Sequence, residues 1–384
     1  MDRAPGLHRS RLGLVLAAWA FALALTTCGD GGASSAVDTA FGPDAAPDLS
    51  APKGDDPDPA VADVACLGPS LPLVRVRSLP FVAITLGGAR GWFLVDLATT
   101  ASTIDPEGFE GGTPEPMPGT TDRYEGFQLF GGWAPVTLAR QDYAGLDLPL
   151  RQAGILGTDF LSLHVYTLYL PPADPSEASE LVAPLRAALG DEPRLFRAPP
   201  ANLPGDGGFC SDGQLAALGL AAASMAGWYA SDPSGLPAGH PNVPALPLEV
   251  AGVRVPAQMD TGFDDALVPF SVNVNEAFFD LLPSGAVVSE PSLDLALSTC
   301  VPGVVESVVA YRPVAAPRVY PGAHAVDRAV LFLKSSPPAA AVCGGIGTWS
   351  TPAAQLGASY AVRLGLLVLD PFTARAWAPA GGLP

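Results

Sequence analysis

One stretch of this chain is written twice, in matching register. Val82-Ala-Ile-Thr-Leu-Gly-Gly-Ala-Arg-Gly-Trp-Phe-Leu-Val-Asp96 aligns without a gap on Leu246-Pro-Leu-Glu-Val-Ala-Gly-Val-Arg-Val-Pro-Ala-Gln-Met-Asp260, so Gly88 falls on Gly252, Arg90 on Arg254 and Asp96 on Asp260. Each copy reads as a strand, a Gly-containing tight turn, a second strand, and an Asp where that strand ends. A second pair of segments follows in the same order. The run from Ile155-Leu156-Gly157 to Leu170 has the pattern of the run from Gln355-Leu356-Gly357 to Asp370: Leu-Gly, one short helical turn, a continuous apolar strand, then Pro171 or Pro371. A chain that repeats this order is constrained to build two similar β units, lobe one over 70–172 and lobe two over 243–384.

The punctuation agrees. Pro and Gly number 42 each, which disfavours long helical bundles and favours many short strands joined by turns. With 48% hydrophobic and only 15% charged residues in 384, there is ample material for a sizeable core. The convincing helices fall between the repeats, in 173–242. Asp174-Pro175-Ser-Glu offers an N-cap, a proline at the first helical position and an acid in the first turn of a helix over 174–189, ended by Gly190 and kinked at Pro184. A second helix is expected over 214–227, after Ser211-Asp212. The expectation is a mostly β, two-lobed protein with a short helical connector.

The N-terminus carries an export signal. Arg3, Arg9 and Arg11 precede an uncharged apolar run from Leu12 to Leu25, too short for a comfortable membrane span and suited to the core of a signal peptide over 1–27. Leu25-Thr26-Thr27-Cys28-Gly29 resembles a bacterial lipobox, which makes Cys28 the candidate lipidated residue and anchors the exported chain to the cell envelope. Thr27 departs from the usual Gly, Ala or Ser, and an ordinary secretory signal cleaved nearby is the other reading. Residues 28–69 are an acidic segment of small residues and prolines, read as a disordered tether that cannot bury enough surface to offset its ordering entropy. In an oxidising compartment Cys66, Cys210, Cys300 and Cys343 are expected to form two disulfides. Four cysteines allow three pairings; joining Cys300 to Cys343 keeps one bridge inside lobe two and leaves Cys66 for Cys210.

Several function classes are disfavoured. The net charge is −18, and about −20 once a leader carrying +2 is removed, so the surface repels nucleic-acid phosphates and shows no basic patch with interleaved aromatics. The four histidines are isolated and no CxxC pair occurs, so no metal is expected. There is no G-x-S-x-G, P-loop or H-E-x-x-H sequence.

Met259-Asp260-Thr261-Gly262-Phe263 resembles the apolar-Asp-Thr-Gly motif of aspartic peptidases of the pepsin and retropepsin type. Leu156-Gly157 and Leu356-Gly357 resemble the apolar-Gly motif that follows it in each lobe, and together the four segments mark about two-thirds of the mature chain. The resemblance implies an acid-protease-like fold of two β-barrel lobes with the cleft between them. It implies Asp96 and Asp260 as a catalytic pair supported by Thr261, Gly262, Gly157 and Gly357, with no cofactor. Two carboxylates close enough to share one proton cannot both ionise, so one acts as general base on a water while the other polarises the scissile carbonyl.

Lobe one departs from the pattern. Asp96 is followed by Leu97-Ala98-Thr99, so the hydroxyl expected after the Asp is missing and a methyl stands where the backbone is usually bare. Two functions therefore stay open. One is a cell-envelope aspartic endopeptidase hydrolysing peptide bonds with an Asp96/Asp260 dyad; the other is a non-catalytic, envelope-anchored relative that binds a peptide or protein. Both readings take a peptide or protein as partner, touch the membrane through the lipid anchor alone, and expect a monomer. Tyr124, in the Gly-rich stretch after Asp96, is read either as a flap residue over the substrate or as a plain surface tyrosine.

Overall fold

The computed structural model describes residues 64–171 apart from 147, together with 183–199, 209–225, 243–264, 268, 270–299, 301–343 and 345–380. Strand makes up 41% and helix 16%, and the strands divide into two β lobes: the chain is a mostly β, two-lobed protein.

The repeated hairpins form as the sequence requires. Leu79–Leu86 pairs antiparallel with Ala89–Val95 in lobe one, and Ala245–Val250 with Val253–Met259 in lobe two. Both turns place two successive residues in the left-handed region, Gly87 and Gly88 at φ 60° and 90°, Ala251 and Gly252 at φ 51° and 82°. That geometry matches the right-handed twist of the flanking strands. The second strand of each hairpin then pairs in parallel with a strand ending at Leu-Gly: Val95 lies beside Leu156, and Met259 beside Leu356. On its other side that Leu-Gly strand pairs antiparallel with Thr103–Ile104 in lobe one and with Ser271–Asn275 in lobe two. Each Asp thus leaves a strand whose neighbours are fixed by backbone ladders.

Apolar runs after the Leu-Gly turns join the lobes. Val165–Tyr169 of lobe one pairs antiparallel with Leu366–Asp370 of lobe two, Tyr166 opposite Leu369, within a 12-stranded sheet. Both strands are buried throughout, as expected of continuous apolar sequence covered on both faces. A 10-stranded sheet completes lobe two. One apolar cluster contains Phe93 and Leu156 of lobe one with Met259 and Leu356 of lobe two, so the core is continuous beneath the two Asp-bearing strand ends.

The connector holds more than helices. Ala183–Leu189 and Asp212–Ala217 are helical, but Arg194–Ala198 is a strand inserted between Ser70–Val76 and Val165–Tyr169, and Leu220–Ser224 edges the same sheet against Arg375–Pro379. The helix expected over 214–227 therefore ends early. It also begins two residues before the expected start, at Asp212, with Ser211 and Gln214 forming a capping box, and Gly219 takes φ 78° and turns the chain out of the helix. The alanines that follow have high helix propensity, yet they pair one by one with Ala376, Trp377 and Ala378, and sheet pairing overrides propensity there.

Packed chain also reaches further toward the N-terminus than the tether boundary at 69. Val64 and Leu67 are buried in a cluster with Phe209 and Leu215, and Cys66 is bridged to Cys210 at a Cα separation of 4.7 Å. The bridge spans 144 residues of sequence, a closure of the size that contributes about 4–5 kcal/mol by restricting the unfolded chain. The expected Cys300–Cys343 bridge, Cys28, the leader 1–27 and the tether up to 63 lie outside the described residues. No helix among the described residues is long and apolar enough to cross a membrane.

Candidate active site

Asp96 and Asp260 begin the loops that leave the two matched strands, and two backbone hydrogen bonds that hold each loop are duplicated. The Asp96 N–H donates to the Leu156 carbonyl at 3.0 Å, and the Asp260 N–H to the Leu356 carbonyl at 2.8 Å. Three residues on, the Thr99 carbonyl accepts from Thr158 N–H at 2.8 Å, and the Phe263 carbonyl from Ala358 N–H at 2.7 Å. This explains the two glycines of the Leu-Gly turns. A Cβ on Gly157 would lie 2.7 Å from the Thr99 carbonyl oxygen, and one on Gly357 would lie 2.9 Å from that of Phe263. Neither turn has room for a side chain.

The two loops meet across the lobes through Thr261. Its buried hydroxyl donates to the Val95 carbonyl at 2.6 Å and accepts from the Leu97 N–H at 3.0 Å, satisfying two lobe-one backbone groups that flank Asp96. Position 97, a leucine, has no hydroxyl to return, so half of a reciprocal crosslink is present. Gly262 lies directly against the Asp96 carboxylate: a Cβ there would sit 2.7 Å from Asp96 Cγ. The glycine after Asp260-Thr261 is therefore demanded by the opposite aspartate.

Both carboxylates are buried, Asp96 at 1% exposure and Asp260 at 0%, and both are hydrogen-bonded. Asp96 Oδ1 accepts the Ala98 N–H at 2.8 Å and Oδ2 the Thr99 hydroxyl at 2.6 Å. Asp260 Oδ1 accepts the Gly262 N–H at 3.0 Å and Oδ2 the Gln355 side-chain amide at 2.7 Å. Burial pushes Asp96 above the usual carboxylate range, opposed by these donors. Asp260 is pushed well above that range, first by burial and then by the negative charge of Asp96. Burial thus raises both carboxyls, and the charge of Asp96 raises Asp260 further, so the ionisation of one bears on that of the other.

Of the residues singled out in the sequence, Asp96, Asp260, Thr261 and Gly262 come together, with Gly157 and Gly357 immediately beneath. Gln355 and Thr99 were not singled out. Thr99 lies at a legible position, the third residue after Asp96; Gln355 is distant in sequence from the carboxylate it touches and left no local signal. Tyr124 is buried in lobe one's core at 1% exposure, so it is not a surface tyrosine. Among the described residues no group of three or more His, Cys, Asp or Glu side chains is arranged to hold a metal ion.

Comparison with protein-family profiles and with curated protein sequences returns no match. Among solved structures, the chain is similar to the basic 7S globulin from soybean, with 11% identity, a TM-score of 0.36, and coverage of 81% of this chain and 93% of that one.

Proposed function

We propose that this chain is an exported, envelope-anchored aspartic endopeptidase whose Asp96 and Asp260 share one proton and hydrolyse peptide bonds. The observation that carries the reading is the Thr261 hydroxyl, bonded to both Val95 and Leu97, which fastens Asp96 beside the Asp260–Gly262 turn. In the reaction the ionised carboxylate takes a proton from a water as its oxygen bonds to the scissile carbonyl carbon, while the protonated one donates to the carbonyl oxygen. Collapse of that intermediate breaks the C–N bond: the nitrogen leaves with the proton taken from water, and one hydroxyl of the intermediate returns a proton to the carboxylate that had donated it, leaving a carboxylic acid and restoring the one-proton pair. No cofactor is required. The experiment is hydrolysis of an unstructured protein across pH by the exported chain and its Asp260→Asn variant; wild-type cleavage greatest in acid and absent from the variant supports the assignment, and equal rates sink it.

A second reading is favoured by the lobe-one loop. Leu97 gives no return hydroxyl, Ala98 carries a methyl at the position matching Gly262, and both carboxylates lie at 1% exposure or less. A protein with that loop binds a peptide or protein at the envelope without cleaving it. Stoichiometric peptide binding that survives Asp260→Asn, with no cleavage at any pH, selects this reading.

A further inference from the structure

The two aspartates receive side-chain hydrogen bonds from different places. In lobe one the third residue after the Asp supplies the donor, Thr99 Oγ1 to Asp96 Oδ2 at 2.6 Å. In lobe two that position is Phe263, which has none to give. The donor comes instead from the Leu-Gly strand, Gln355 Nε2 to Asp260 Oδ2 at 2.7 Å. Gln355 precedes Leu356 as Ile155 precedes Leu156, so polar and apolar residues have exchanged places between the lobes: Thr99 with Ile155 in one, Phe263 with Gln355 in the other.

The amide of Gln355 is itself held. Asn273 is its direct cross-strand partner and donates Nδ2 to Gln355 Oε1 at 2.9 Å. With the carbonyl end engaged, the N–H end faces Asp260. Asn273 is 2% exposed and Gln355 half-buried, so the bond is partly shielded from water. In lobe one the matching pair is Thr103 and Ile155, and the Thr103 hydroxyl bonds Tyr143 instead.

We infer that Asn273 and Gln355 form a positioning relay for Asp260, replacing the hydroxyl that lobe two lacks and holding the Asp260 carboxylate in its rotation and charge state. The inference rests on the dyad proposed above. An amide N–H favours the charged carboxylate over the neutral acid. Unlike a hydroxyl, it cannot turn round and accept a proton. The relay thus opposes the burial and the Asp96 charge that push Asp260 upward, in the same sense as the positive charge of Lys334.

The test is carboxyl NMR of the exported chain with carbon-labelled aspartate, the Asp260 signal being assigned by its loss in Asp260→Asn. Gln355→Met keeps the length and removes the donor, and the Asp260 midpoint is expected to rise by about 1 pH unit, the scale of one lost charge-assisted hydrogen bond. Asn273→Ala frees the amide and produces a smaller rise. Adding Phe263→Thr to Gln355→Met brings the midpoint back toward wild type, because it restores lobe one's arrangement. An unchanged midpoint in folded Gln355→Met overturns the relay; if that variant fails to fold, Asn273→Ala carries the same test. The measurement needs no substrate, so lack of peptidase activity leaves its result standing. An Asp260 midpoint indifferent to Asp96→Asn breaks the dyad reading instead.

Discussion

Lobe one and lobe two place their aspartates with the same backbone bonds and surround them with different side chains. Asp96 and Asp260 each donate N–H to the leucine before the Leu-Gly glycine, and each loop returns a carbonyl to the helical turn beyond. Around that shared frame lobe two has Thr261, Gly262 and Gln355 where lobe one has Leu97, Ala98 and Ile155. Backbone geometry here depends on the hairpin, the Leu-Gly turn and the parallel ladder, and all three survive side-chain change. The interlobe crosslink depends on one hydroxyl, and lobe two alone supplies it. The duplication therefore preserves position more strictly than chemistry.

The comparison breaks most visibly at the acids. If the chain cleaves peptides as proposed, Asp260→Asn is expected to lower hydrolysis in acid by about 100-fold or more, because the proposed general acid–base pair loses a member. Asp96→Asn has the same effect if the lobes contribute equally. A peptidase assay over pH that finds Asp96→Asn nearly as active as wild type assigns the chemistry to lobe two alone.

Next in size is the crosslink. Thr261→Val leaves the buried Leu97 N–H and Val95 carbonyl without their partner, at about 1–3 kcal/mol for each stranded group. Urea unfolding reads the loss. The mirror substitution, Leu97→Thr, supplies lobe one's missing hydroxyl but gives up a side chain only 2% exposed, so its net effect is expected within about 1 kcal/mol of zero. A cost for Leu97→Thr as large as that for Thr261→Val would show that the lobes are not interchangeable here.

Gly262→Ala and Ala98→Gly sharpen the contrast on a smaller scale. The first drives a methyl into the Asp96 carboxylate and is expected to destabilise by roughly 1–2 kcal/mol while depressing hydrolysis. The second removes the methyl that lobe two does without. It is expected to leave stability nearly unchanged and to raise hydrolysis, the measurement being initial rates on one peptide at one acid pH.

Much of this was legible in the sequence because the determinants are local. The gap-free match of Gly88 with Gly252 and Asp96 with Asp260 marks hairpins whose turns need left-handed residues, and Leu-Gly marks turns whose glycines meet a carbonyl. What could not be read depends on distant partners. The strand at Leu220–Ser224 is written in alanines that read as helix until Arg375–Pro379 lies beside them. The extent of packed chain before 70 depends on Phe209 and Cys210. Gln355 gains its meaning from Asp260 and Asn273, each far along the chain, and nothing in Ala-Gln-Leu-Gly announces it.

The last comparison is of stability against pH, and its sign separates this pair from ordinary surface acids. Asp260 is raised in the folded state by burial and by Asp96, and Asp96 is raised by burial. A carboxyl raised on folding binds its proton more tightly in the native protein than in the unfolded chain. Its contribution is full below the unfolded value of about 3.9 and is lost as pH rises through the folded value. Wild type should therefore lose stability relative to Asp260→Asn on going from acid toward neutral pH, by about 1.4 kcal/mol for each unit of elevation. Acids stabilised by folding, such as Glu249 beside Arg254, act in the opposite sense. Subtracting the variant's urea-unfolding curve from that of wild type at each pH cancels such common contributions. If the difference grows in favour of wild type as pH rises, Asp260 is ionised and held by its donors at the expense of the shared proton, and the two lobes do not form one acid.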